Sequence, residues 1–412
     1  MPSGLRARLS IMMFLEFFTW GAWYSVLSVY VENPPSQGGL GFSVLEKGDI
    51  YGLLALASIF MPLLAGQVTD RWVPTQVFLG LAHLAGAIGL FYAARQQEYG
   101  PVYSGVLLWS LAYAPTISLT NSLAFSHLKD AEKDFGLVRV FGTIGWIAAG
   151  LALTTWRGME GLAIGGNDCL YLAGGSGVAM ALYCFTLPHT PPARTGVSPW
   201  AFLEALSLLR DPRIAVFLVI SFVVGTELPF YFTLTGNFLQ HLGTDQRNIP
   251  ALMTIGQVAE ILTMLALPWF LKKLGPRKTL FLGVLAWPVR YLIFALGGPY
   301  ELVVASLALH GVCFVFFFVV AFIYIDSVAP KDIKASAQGL LTLVIYGFGM
   351  WLGNKFTVRV QDYFTAEDSS INWTGVFLVP SVLTILCAVV LFLTFPKGSI
   401  REASAAAEGA PS

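Results

Sequence analysis

The sequence predicts an all-α membrane protein of twelve transmembrane helices in two six-helix bundles. Three observations carry that prediction. Only 12% of the 412 residues are charged, against roughly 25% in soluble proteins, and mean hydropathy is +0.69. Twelve apolar stretches approach or exceed the length that a bilayer requires. Between the sixth and the seventh lies "PHTPPARTGVSPW", whose Pro, Thr and Ser mark a flexible connector.

A hydrocarbon core needs about 20 mostly apolar residues per helix. By that ruler the spans fall near 9–31, 46–68, 75–95, 101–126, 138–156 and 169–188, then 213–240, 249–271, 279–297, 301–325, 336–358 and 373–395. Arg6 and Arg8 precede the first run, which continues past Tyr24 to Val31. That is too long for the apolar core of a signal peptide and suits a first span. The expected organisation is an N-terminal bundle over 1–190, a cytoplasmic linker over 191–212, a C-terminal bundle over 213–396 and a disordered tail over 397–412.

Lys and Arg placement sets orientation. With both termini cytoplasmic, sixteen basic residues fall on the inner side, including Arg71, Lys129, Arg194, Lys272, Lys331, Lys397 and Arg401. Six fall outside: Lys47, Arg95, Arg157, Arg247, Lys355 and Arg359. The expected location is therefore the cell inner membrane, multi-pass, with both termini inside. The bilayer is the first partner, and a monomer is expected.

Several classes are excluded. Net charge is zero, so no global field favours nucleic acid. Cys169, Cys184, Cys313 and Cys387 are scattered, with no Cys/His cluster to support a disulfide framework or a metal. No nucleophile–base pair or phosphate loop appears, so neither an enzyme nor a cofactor is expected.

Ionisable side chains inside apolar spans are functional candidates by default. Glu16, Arg139, Glu227, Glu260 and Arg290 are five such residues. Arg139, Thr143 and Trp146 in "RVFGTIGW" share one helix face, a guanidinium, a hydroxyl and an indole suited to a polar, partly aromatic ligand. Gln257 and Glu260, three apart, can fork onto vicinal hydroxyls, and Glu260 can also carry a proton. His310, Phe314 and Phe317 repeat at helical spacing, an aromatic wall with one imidazole. Tyr113, Thr116, Thr120 and Asn121 surround Pro115. Structural readings stand beside these: Glu227 beside Pro229 can serve a kinked helix, and Arg290 can form a structural pair.

"GQVTDRWVPTQ" after the second span and "PWFLKKLGPRK" after the eighth are tight charged turns at matching places in the two halves. Gly66, Asp70 and Arg71 resemble the conformational loop signature of the major facilitator superfamily. "FLEFFTWGAWYSVL", "SLAYAPTISLTNSLAFSHL", "RVFGTIGW", "GTELPF", "GQVAEILTMLALPWFL", "AWPVRYLIFALG" and "IKASAQGLL" extend the likeness along nearly the whole chain. Together they resemble bacterial nucleoside:proton symporters of that superfamily. The resemblance implies proton-coupled nucleoside uptake by alternating access, with Arg139, Thr143, Trp146, Gln257, Glu260 and Phe314 around base and ribose. His310 stands where the family has Tyr, Val315 where it has an acidic residue, and Glu16 where Gln is usual. Glu260, Glu16 and Glu227 are the proton-coupling candidates. The alternative is a major facilitator transporter of a sugar or other small polar metabolite.

Overall fold

The computed structural model describes residues 3–128, 131–159, 166–192, 205–330 and 333–394. Most of the expected linker (193–204) and the tail expected at 397–412 lie outside the described residues. So do Lys129, Arg194, Lys331, Lys397 and Arg401 of the orientation count.

The described chain is helical, apart from one isolated antiparallel bridge between Thr365 and Ile371. Ten helices among the described residues are long and apolar enough to cross a membrane. Helix α1 (Ser3–Tyr24) carries Arg6, Arg8 and Glu16 and is not among the ten. It is followed by α2 (Leu27–Glu32), α3 (Val44–Arg71), α4 (Thr75–Ala93), α5 (Tyr99–His127), α6 (Ala131–Gly158) and α7 (Asp168–Tyr183). Beyond the linker come α8 (Pro212–His241) and α9 (Ile249–Leu296). The latter is 48 residues long but is broken at Gly275, whose φ of 75° lies in the left-handed region. Glycine has no Cβ to oppose that conformation, so the turn expected between the eighth and ninth spans forms there.

The remaining elements are α10 (Tyr300–Ser306), α11 (Leu309–Cys313), α12 (Val320–Val328), α13 (Lys334–Thr342), α14 (Met350–Tyr363) and α15 (Trp373–Thr394). Two π-helical turns, Phe314–Val319 and Leu343–Gly349, join α11 to α12 and α13 to α14. Such turns widen the helix and recur at functional positions.

Two compact units result. The first is Met1–Val197 with Tyr231–Thr254, and the second is Ser198–Phe230 with Ile255–Ser412. In the first, α1 packs on α6 and α7, α4 packs on α5 and α7, and α3 packs on α5. A Cβ added at Gly145 of α6 would run into the carbonyl of Phe14 in α1. The two backbones therefore touch there, as small residues permit in membrane helices. The second unit repeats the device, with Gly311 of α11 against the backbone of Ala259 and Glu260 in α9.

Start signals are local. Ser43 caps α3: its hydroxyl accepts from the Glu46 N–H, and the Glu46 carboxylate accepts from the Ser43 N–H at 2.8 Å. This reciprocal pair satisfies two otherwise orphaned donors. At its other end α3 runs further than the sequence suggested. Gly66, Asp70 and Arg71 are helical, and the turn to α4 is confined to Trp72–Pro74. Thr69 donates to the Ala65 carbonyl within this last stretch, at 3.0 Å.

Candidate functional site

Unit 1 gathers its polar groups on α1, α4, α5 and α6. Glu16 is fully buried. Its Oε2 lies 2.9 Å from Nε2 of His83 in α4, and its Oε1 accepts from the Thr116 hydroxyl of α5 at 2.6 Å. The Tyr113 hydroxyl donates to the Glu16 main-chain carbonyl at 2.7 Å. Charge burial is costly unless the group is paired and hydrogen-bonded, and this carboxylate is both. The sequence singled out Glu16, Tyr113 and Thr116, but not His83. The signal available was an imidazole alone in the apolar run "LGLAHLAGAIGL".

One turn along α1, Trp20 stands between that cluster and α6. Its ring centroid is 6.2 Å from that of Tyr113 and 5.1 Å from that of Trp146. Trp146 and Thr143 lie on the helix face the sequence predicted, Trp146 buried and Thr143 half-buried. The Arg139 guanidinium carbon sits 4.0 Å above the Phe17 ring, a cation–π contact. A small cavity is lined in part by Gly21, Ser25, Trp146, Gly150, Met253 and Thr254. The Ser25 hydroxyl and the Trp20 indole N–H have no hydrogen-bond partner among the described residues. Ser25 faces the cavity that Trp146 also lines, whereas Trp20 packs on Trp146 from outside that lining. Ser25 was not anticipated, because a serine in an apolar helix is usually satisfied by its own backbone.

Unit 2 holds the other predicted residues. Gln257 and Glu260 share a face of α9. Gln257 is buried and its amide oxygen has no hydrogen-bond partner among the described residues, while Glu260 is half-buried. The close approach at Gly311 brings the His310 helix directly against this part of α9. His310 is buried, with Nδ1 3.5 Å from Nη1 of Arg290, and its ring centroid is 6.0 Å from that of Phe314. Phe317, the third member of the expected wall, packs its backbone against Gly283 of α9 and is fully buried. It lies within the π turn, which breaks the regular spacing that the sequence assumed.

Arg290 is fully buried, with its guanidinium carbon 4.8 Å from the rings of both Trp287 and Tyr291. Glu227 is also fully buried, and neither carboxylate oxygen has a hydrogen-bond partner among the described residues. The Tyr291 hydroxyl donates to the Glu227 main-chain carbonyl at 2.8 Å.

Two cations assigned to the outer side from sequence are buried in ion pairs. Lys47 bonds Glu32, which also accepts from Asn237 at 2.7 Å. Arg157 forks onto Asp168 with two bonds of 2.7 Å and donates to the Gln246 carbonyl. Planar bidentate pairing of this kind is a strong geometry.

Polar and titratable groups buried inside apolar helices, with aromatic rings beside them, suit a membrane protein that handles a small polar solute, and family membership makes that protein a membrane transporter. The chain belongs to the nucleoside H+ symporter family, whose model matches residues 3–399. It is 38% identical to the putative nucleoside transporter YegT of Escherichia coli, over 97% of this chain and 95% of that one. It is 30% identical to the xanthosine permease of the same organism, over 94% and 95% of the two chains. The crystal structure of nucleoside transporter NupG superposes with a TM-score of 0.84 at 28% identity, covering 96% of this chain and 100% of that one.

Proposed function

We propose that this protein is a proton-coupled nucleoside importer of the cell inner membrane. In this reading it has twelve spans and cytoplasmic termini, and it works as a monomer in the bilayer by alternating access, without nucleic acid. Arg139, Thr143 and Trp146 of the first unit and Gln257, Glu260, His310 and Phe314 of the second bind the nucleoside. Gly66, Asp70 and Arg71 act in the conformational change, and a carboxylate among Glu260, Glu16 and Glu227 carries the proton. The observation that carries the reading is the α6 face, where a guanidinium, a hydroxyl and a buried indole line up inside an apolar helix. A flat heterocycle stacks on an indole, while its exocyclic groups meet the polar pair. The Gln257 amide oxygen, buried with no hydrogen-bond donor among the described residues, suits a ribose hydroxyl.

Uptake of radiolabelled uridine, adenosine and xanthosine into membrane vesicles, with and without an imposed proton gradient, tests this. The expected result is saturable uptake that an outside-acid gradient stimulates. Absence of saturable uptake of any nucleoside overturns the substrate. Saturable uptake that ignores the gradient overturns the coupling. Greater thermal stabilisation by free sugars than by nucleosides transfers the site to the alternative solute class.

A further inference from the structure

We propose that Glu16 and His83 together form the proton-binding site of this transporter, with Trp20 linking it to the substrate face. The proposal rests on the proton-coupled reading above and selects one of its candidate carboxylates. It also adds an imidazole that sequence did not suggest.

The chemistry follows from the pair. With Nε2 protonated, His83 donates to Glu16 Oε2 across 2.9 Å. In that form the pair carries one negative charge. One further proton makes the pair neutral, whichever of the two atoms holds it. The pair therefore takes up and releases a single proton, and Thr116 remains a donor to Oε1 at 2.6 Å in the ionised form. Both side chains are buried, Glu16 fully and His83 at 3% exposure. A coupling site has to be sealed in at least one conformation, or its proton would leak independently of substrate.

The titratable and charged groups facing the pair come from each helix packed around it. Tyr113 from α5 donates to the Glu16 carbonyl. Arg139 from α6 lies over the ring of Phe17, the residue that follows Glu16, and the Cys184 thiol is buried just beyond α7. Arg139 is also a substrate candidate, so a ligand that engages its guanidinium changes the field beside Phe17 and hence beside Glu16. The second link is mechanical. Trp20 touches Tyr113 on one side and Trp146 on the other. A ring stacking on Trp146 meets resistance from a side chain whose own helix carries Glu16 one turn away. Glu227 offers no such network, since among the described residues neither of its carboxylate oxygens has a hydrogen-bond partner.

The test uses the purified full chain in liposomes and the variants Glu16→Gln and His83→Gln. Two quantities are read with a labelled nucleoside: exchange with no pH difference, and accumulation under an imposed pH difference. For one proton per substrate, each pH unit sustains about a tenfold concentration ratio. The expected result is that wild type approaches that ratio, whereas Glu16→Gln still exchanges measurably but accumulates nothing above the equilibrium ratio. His83→Gln should shift the pH profile of uptake by about one unit, a displacement that a purely structural role would not produce. Accumulation by Glu16→Gln equal to wild type overturns the assignment alone. Should Glu16→Gln not fold, an unmoved pH profile in His83→Gln overturns it instead. A wild type that exchanges nucleoside but never concentrates it overturns proton coupling itself, and this site with it.

Discussion

The two units bury a glutamate each and treat it in opposite ways. In unit 1, Glu16 receives Thr116 on one oxygen and faces His83 on the other. In unit 2, Glu227 is equally buried, yet its carboxylate has no hydrogen-bond partner among the described residues; Arg290 acts on it through charge alone, and Tyr291 donates to its main-chain carbonyl. Burial alone therefore does not say what a membrane carboxylate is for. Partners make the difference: a carboxylate with a hydrogen-bond partner on each oxygen is held in a set place. A carboxylate without donors pays desolvation and gains little from position.

The comparison can be broken by substitution. The largest effect is expected at the glycine crossing that holds the unit 1 cluster in register. Gly145→Val puts a branched side chain into the Phe14 carbonyl, and no rotamer relieves a backbone clash. Loss of at least about 3 kcal/mol, seen as failure to recover monodisperse protein in detergent, is the expected outcome. A well-behaved Gly145→Val protein would show that α1 and α6 are not locked together.

Glu16→Leu comes next. It strands the buried His83 without its partner, while the Thr116 hydroxyl keeps the Tyr113 carbonyl as acceptor at 2.6 Å, at a cost of about 3 kcal/mol read as a lowered thermal midpoint. Thr116→Val removes one charge-assisted bond while keeping shape, and should cost about 1.5 kcal/mol. Glu227→Gln is expected to change stability least, within about 1 kcal/mol, since no donated hydrogen bond is lost. If Glu227→Gln were instead the more damaging of the two glutamate variants, the contrast between the units would be reversed.

Hydropathy made most of the fold legible, because a bilayer selects length and apolar content and both are written locally. The break at Gly275 was legible for a similar reason: "KKLGPRK" sets charges beside Gly and Pro between two apolar runs. The extension of α3 through Arg71 was not. Charged residues at the end of a span read as a loop, although nothing in "GQVTDR" opposes a helix. The π turn at Phe314–Val319 was equally hidden, since an extra residue in a helical turn leaves no mark in a run of Phe and Val. Within the candidate site, faces formed by residues three or four apart were visible, as for Arg139 with Thr143 and Gln257 with Glu260. The partner of Glu16 was invisible because His83 is 67 residues away. Such a pairing depends on which helices pack, and no spacing rule encodes it. The burial of Lys47 and Arg157 escaped for the same reason, since each sits where positive charge normally meets water.

The contact between Gly145 and Phe14 has a mechanical corollary. Side chains between helices act as cushions, absorbing small tilts by changing rotamer. Where backbone meets backbone there is no cushion, so α1 and α6 form one stiff strut with two handles. In the roles proposed above, Trp146 is the handle on the solute side and Glu16 the handle on the acid side. On that reading a tilt imposed at one handle is expected to reach the other with little loss, as in a lever whose fulcrum has no play.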